Sequence, residues 1–118
     1  MRIISMLFLA FSLLLPVCAF AQVNPVTTER DCGISSLSGS SQTIAVANPN
    51  RKYLGLFNSG NASVYVNAAG GTAASTGIAS IPVTSGGSLL FKLPEGIPRN
   101  AITIIGTSGQ PVACFEGN

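Results

Sequence analysis

Four carboxylates, two cysteines and a scatter of serines and lysines are all the chemistry this chain holds beyond its first residues. It contains no His and no Trp, so the commonest general base and the commonest metal ligand are both missing. Glu29 and Asp31 stand two apart, which in an extended segment puts them on one side. Such a pair can do acid–base work or hold calcium, but the simpler reading is a solvated segment beside a cysteine. Glu95 falls in a Pro-rich turn and Glu116 near the C-terminus, where both read as solvent charges. A Ser-Lys dyad through Lys52 or Lys92 is the one nucleophile arrangement left, and no spacing supports it. Gly70-Gly71 and Gly86-Gly87 lack the Lys and following helix of a phosphate loop and read as turns. Asn61-Ala62-Ser63 fits a glycosylation acceptor and equally a turn. No catalytic, cofactor or metal set emerges, and the expectation is a protein that is not an enzyme.

Cys32 and Cys114 are the cysteines that matter. Arg2, the apolar run Ile3 to Leu15, Pro16 and the small residues of Ala19-Phe20-Ala21 read as a secretory signal, with cleavage expected between Ala21 and Gln22; an uncleaved membrane anchor over Ile3 to Ala21 is the other reading. Cys18 would leave with the cleaved signal. With cleavage no stable membrane anchor is expected to remain, and the expected destination is the periplasm, the cell surface or a virion. In an oxidising compartment the two remaining cysteines are expected to pair within the chain. Two buried thiols or an intermolecular bridge are the other arrangements they allow. A bridge closing a loop of about 80 residues contributes roughly 4.5 kcal/mol on chain-entropy grounds.

The elements that would position these groups are strands. Only 8% of the 118 residues are charged and 47% are hydrophobic, which excludes wholesale disorder. Residues 22–118 carry Arg30, Arg51, Lys52, Lys92 and Arg99 against four acids, with only Arg51 and Lys52 adjacent. No basic face for nucleic acid follows from that. Residues 22–41 are polar and read as an extended N-terminal arm. Residues 42–118 then alternate short β-type runs with turn residues. The runs are Thr43 to Ala47, Arg51 to Asn58, Ser63 to Asn67, Ile78 to Val83, Ser88 to Leu93, Ala101 to Gly106 and Gln110 to Glu116. Pro82 marks the fourth as an edge strand. Arg51 to Asn58, apolar on both faces, should be central. Ser59-Gly60-Asn61 and Thr107-Ser108-Gly109 have the chemistry of hairpin turns.

No helical periodicity persists after Ala21. The fold class is all-β, a small antiparallel β-sandwich or jelly-roll-like barrel of about seven strands. Ile44, Val46, Leu54, Leu56, Phe57, Val64, Val66, Ile81, Leu89, Phe91, Ile102, Ile104 and Val112 are the expected core. Ala68 to Gly77, made of Ala, Gly, Thr and Ser, reads as a long loop burying little. Tyr53 and Tyr65, on successive runs, would form a contact surface with Asn67, Thr72 and Thr76 if they paired across strands. The other reading packs both tyrosines at the core edge with their hydroxyls wet.

The stretch Asn48-Pro-Asn-Arg-Lys-Tyr-Leu-Gly-Leu-Phe-Asn-Ser-Gly-Asn-Ala-Ser-Val-Tyr-Val-Asn67, then Gly86-Gly87, Ile97-Pro98-Arg99-Asn100-Ala101-Ile102 and Ile104-Ile105-Gly106, resembles small β-rich bacteriophage proteins. These are virion structural, decoration or fibre-associated proteins, and the resemblance covers Asn48 to Glu116. It implies a non-enzymatic structural or attachment module with a protein partner: its own copies, other virion proteins or a host envelope component. The signal and the cysteine pair depart from virion proteins assembled in the cytoplasm. They point to the envelope, or to a virion that matures there. A secreted module binding glycan or peptide through Tyr53, Tyr65 and the Ala68 to Gly77 loop is the alternative.

Overall fold

The structure, a computed structural model, describes residues 28–118. The expected signal peptide, 1–21, and the start of the arm, 22–27, lie outside the described residues. Eight strands follow: β1 (Glu29–Asp31), β2 (Gln42–Ala45), β3 (Tyr53–Phe57), β4 (Val64–Asn67), β5 (Ile81–Val83), β6 (Ser88–Lys92), β7 (Ile102–Ile105) and β8 (Ala113–Gly117). They form two four-stranded sheets, ordered β1-β8-β3-β6 and β2-β7-β4-β5, with every pairing antiparallel.

The topology has a simple origin. β1 pairs with β8, β2 with β7, β3 with β6 and β4 with β5. The chain is thus one long hairpin with its tip between β4 and β5. Rolling it up adds the pairs β3–β8 and β4–β7 and gives the strand order of a double-sheet jelly roll. One consequence corrects the hairpin expectation at two turns. Ser59-Gly60-Asn61 joins β3 to β4 and Thr107-Ser108-Gly109 joins β7 to β8, yet each pair of strands lies in different sheets. Tight Gly turns suit corners between layers as well as hairpins. The β3–β4 corner is held by Asn58, which is fully buried. Its Nδ2 donates to the carbonyls of Ala62 (2.8 Å) and Val83 (2.9 Å), and its Oδ1 accepts from Gly60 N.

The core is the alternating inner face of both sheets. Leu54 and Leu56 of β3 meet Val64 and Val66 of β4, Ile102 and Ile104 of β7, and Ile44, Val83, Val112 and Cys114. β3 is central, between β8 and β6, and β5 with Pro82 is an edge. Three expected core residues are exposed instead. Phe57 has the opposite parity to Leu54 and Leu56, Ile81 sits on the three-residue edge strand, and Val46 follows a β-bulge. The bulge between Thr43 and Ala45 turns both Ile44 and Ala45 inward and Val46 out. Leu56→Ala should leave a cavity in the core and cost about 2–5 kcal/mol. Denaturant unfolding checks this, and a loss under 1 kcal/mol would mean that the two sheets close over the gap.

Two segments expected outside the core reach into it. Residues 29–37 run antiparallel beside 109–117 through β1, the Ile34–Val112 bridge and Leu37 N–H to the Gln110 carbonyl (2.9 Å). Leu37 is buried. The arm is extended, but it supplies the eighth strand and a core side chain. The β4–β5 loop is also anchored, contrary to its reading as a segment that buries little. Ala73 is 2% exposed and its N–H donates to Ser41 Oγ. Thr103 Oγ1 donates to the Gly71 carbonyl, and Asn100 Nδ2 to that of Ala69.

Candidate interaction surface

One ion pair among the described residues is buried. Arg51 and Glu116 are 1% and 3% exposed, so Glu116 is no solvent charge. Cys114 and Glu116 share the inward parity of β8, which puts the carboxylate at the end of the core beside the bridge. Arg51 directs Nε (3.1 Å) and Nη2 (2.9 Å) to Glu116 Oε2, Nη2 also to the Val46 carbonyl (2.7 Å), and Nη1 to the carbonyls of Pro98 and Asn100. All five guanidinium N–H groups are thereby used. Glu116 Oε1 accepts from Asn48 Nδ2 (2.6 Å) and from Arg30 (3.3 Å). Asn48 Oδ1 accepts from Asn50 N–H to form the turn before Arg51.

Some of the residues quoted for the phage resemblance meet here. Asn48, Asn50, Arg51, Pro98 and Asn100 join the cluster through their side chains or backbone groups. Their work is structural: one saturated cation clamps three chain segments at one end of the sandwich. No buried side-chain nitrogen or oxygen among the described residues lacks a partner.

Cys32 and Cys114 form a disulfide, with Cα atoms 4.8 Å apart. Cys32 N–H donates to the Cys114 carbonyl (2.9 Å), so the bridge extends the β1–β8 ladder and pins an edge strand whose one partner in the sheet is β8.

The expected contact residues are not one surface. β3 and β4 belong to different sheets, so Tyr53 and Tyr65 face outward on opposite sides of the sandwich, both half-buried. Asn67 is buried; its Nδ2 donates to the Thr72 carbonyl and its Oδ1 accepts from Ala69 N–H. It holds the loop in shape. Thr72 and Thr76 are exposed on that loop, away from Tyr53.

What the structure does assemble is an apolar outer face on the β1-β8-β3-β6 sheet. Three rows cross its strands. Asp31, Phe115, Gly55 and Leu90 form the middle row. Ala113, Phe57 and Ser88 lie on one side of it; Glu29, Gly117, Tyr53 and Lys92 lie on the other. Phe57, Leu90 and Phe115 are 45%, 52% and 45% exposed and line a shallow depression with Tyr53. A Cβ at Gly55 would stand 2.7 Å from the Tyr53 hydroxyl. The Tyr53 ring therefore lies over the glycine and keeps the face flat. Sequence parity could have found the β3 part of this face, because Tyr53, Gly55 and Phe57 alternate with Leu54 and Leu56.

No protein-family model and no curated protein sequence matches the chain. Among solved structures it is similar to a chain from the work titled "Bacillus endospore appendages form a novel family of disulfide-linked pili". The TM-score is 0.46 and the identity 20%, over 76% of this chain and 82% of that one. A likeness at this level carries nothing about function; the jelly-roll assignment rests on the strand order.

Proposed function

We propose that the protein is an exported, non-enzymatic structural or attachment module of the phage-associated kind, which acts by presenting the outer face of its β1-β8-β3-β6 sheet to a protein partner. The observation that carries this reading is the cluster of Phe57, Leu90 and Phe115, each about half exposed on one flat face, in a chain with 8% charged residues. Clustered exposed aromatics on a rigid sheet mark contact sites. A disulfide bridge supports an oxidising destination, and the amino-terminal signal pattern supports export. The buried Arg51–Glu116 pair is consumed by its own hydrogen bonds, which supports a structural role for it. The alternative, a glycan- or peptide-binding module using Tyr53, Tyr65 and the Ala68 to Gly77 loop, is less favoured because the two tyrosines lie on opposite sheets and so do not form one site.

Fractionation with mass spectrometry tests the proposal. The chain, with its N-terminus at Gln22, should co-purify with particles or surface assemblies, and Leu90→Asp should remove it from them while leaving its thermal unfolding nearly unchanged. A free periplasmic protein with no stoichiometric partner would overturn the reading.

A further inference from the structure

We infer that the outer face of the β1-β8-β3-β6 sheet binds a second copy of this chain, face to face, about a two-fold axis lying in the interface along β3. The inference rests on the reading above that this face takes a protein partner. Charge placement decides the occupant. Glu29 and Lys92 stand in the same cross-strand row, at opposite margins of the apolar patch, Glu29 on β1 and Lys92 on β6. A two-fold axis along β3 keeps each residue's position along the strand and exchanges the two sides of the sheet. It therefore lays the acidic margin of each copy beside the basic margin of the other.

The apolar rows agree with the same operation. β8 of one copy then covers β6 of the second, so Phe115 meets Leu90 of the second copy and Leu90 meets its Phe115. Phe57 and Tyr53, both on β3, meet their own counterparts near the axis. That is the self-complementary arrangement an isologous interface requires. β1 lies one strand further out than β6, so each β1 overhangs the other copy's β6 edge by about 4.8 Å. A lysine stem spans that distance along an apolar surface, bringing Lys92 to Glu29 of the second copy. Asp31 on the same margin is already held by Gly33 N–H at 2.7 Å, which leaves Glu29 as the partner. A face of four short strands is small. The interface falls at the weak end of specific contacts, with dissociation near about 100 µM, strong enough to act where copies are concentrated in an assembly.

Sedimentation velocity on the oxidised mature chain, from about 5 µM to about 1 mM, reads the association directly. The expected result is a concentration-dependent dimer. Leu90→Asp should weaken it at least ~tenfold by placing a charge in the apolar row. Lys92→Glu should weaken it by about tenfold at low salt, and Lys92→Glu with Glu29→Lys should restore it. Far-UV spectra and unfolding curves show that the variants remain folded. A monomer at every concentration, or a dimer indifferent to Leu90→Asp, overturns the inference, as does a double exchange that fails to restore association. A monomeric protein that Leu90→Asp nonetheless removes from particles sinks the second copy as occupant and leaves the proposed function standing. A dimer sensitive to these changes, in a protein that enters no assembly, supports the second copy and removes the broader reading.

Discussion

Arg51→Ala should destabilise the folded protein by about 3–5 kcal/mol, the cost of leaving one partner of a buried ion pair uncompensated. The physical reason is specific to this end of the sandwich. Removing the guanidinium leaves the Glu116 carboxylate with Asn48 and the largely exposed Arg30 as its remaining partners. It also strips donors from the carbonyls of Val46, Pro98 and Asn100, each of which then carries a desolvation penalty if water cannot reach it. In a domain whose total stability is roughly 5–15 kcal/mol, that is a large share. Arg51→Lys should recover little, because an ammonium cannot address Glu116 and three carbonyls in a plane. Replacing Arg51 and Glu116 together by Met and Leu should cost much less than Arg51→Ala, since the pair returns little beyond its own desolvation cost. Guanidinium unfolding of the three variants settles the point. An Arg51→Ala protein within 1 kcal/mol of wild type would show that water replaces the guanidinium at no cost.

The second large effect belongs to the disulfide. Cys32→Ala with Cys114→Ala should cost about 2–5 kcal/mol. The bridge joins residues 82 apart in sequence, so most of the loss comes from a freer unfolded chain. Part of it is local. β1 is a three-residue edge strand with an exposed side-chain pattern and no core residue of its own, so the bridge and the β8 ladder hold it. Hydrogen exchange should therefore show the Cys32 and Ile34 amides losing protection before those of β3 or β7. Equal protection throughout, with unchanged unfolding midpoints, would show that the ladder alone suffices.

These two effects differ in how visible their causes were. The disulfide was legible because the expected export signal would leave Cys32 and Cys114 as the two cysteines able to pair, and an oxidising compartment favours that pairing. The Arg51–Glu116 pair was not, because its partners lie 65 residues apart and each, taken alone, is an ordinary surface residue type. The one local hint was parity: Glu116 follows Cys114 by two, so a buried Cys114 implies an inward Glu116.

What the sequence by itself determined about this protein was its class of element and its punctuation. Period-two alternation set which residues of β4 and β7 face inward, while in β3 it held for Leu54 and Leu56 and not for Phe57. Pro82 set an edge. Only the tertiary structure decided which sheet each strand joins. Ser59-Gly60-Asn61 and Thr107-Ser108-Gly109 bend the chain equally well within a sheet or between two, since backbone turn chemistry does not encode the strand's next neighbour. That decision separates Tyr53 from Tyr65, buries Asn67 in its own loop, and gathers Phe57, Leu90 and Phe115 from β3, β6 and β8 onto one face. A surface drawn from three distant strands has no local signature, because the rolling of one long hairpin brings them side by side.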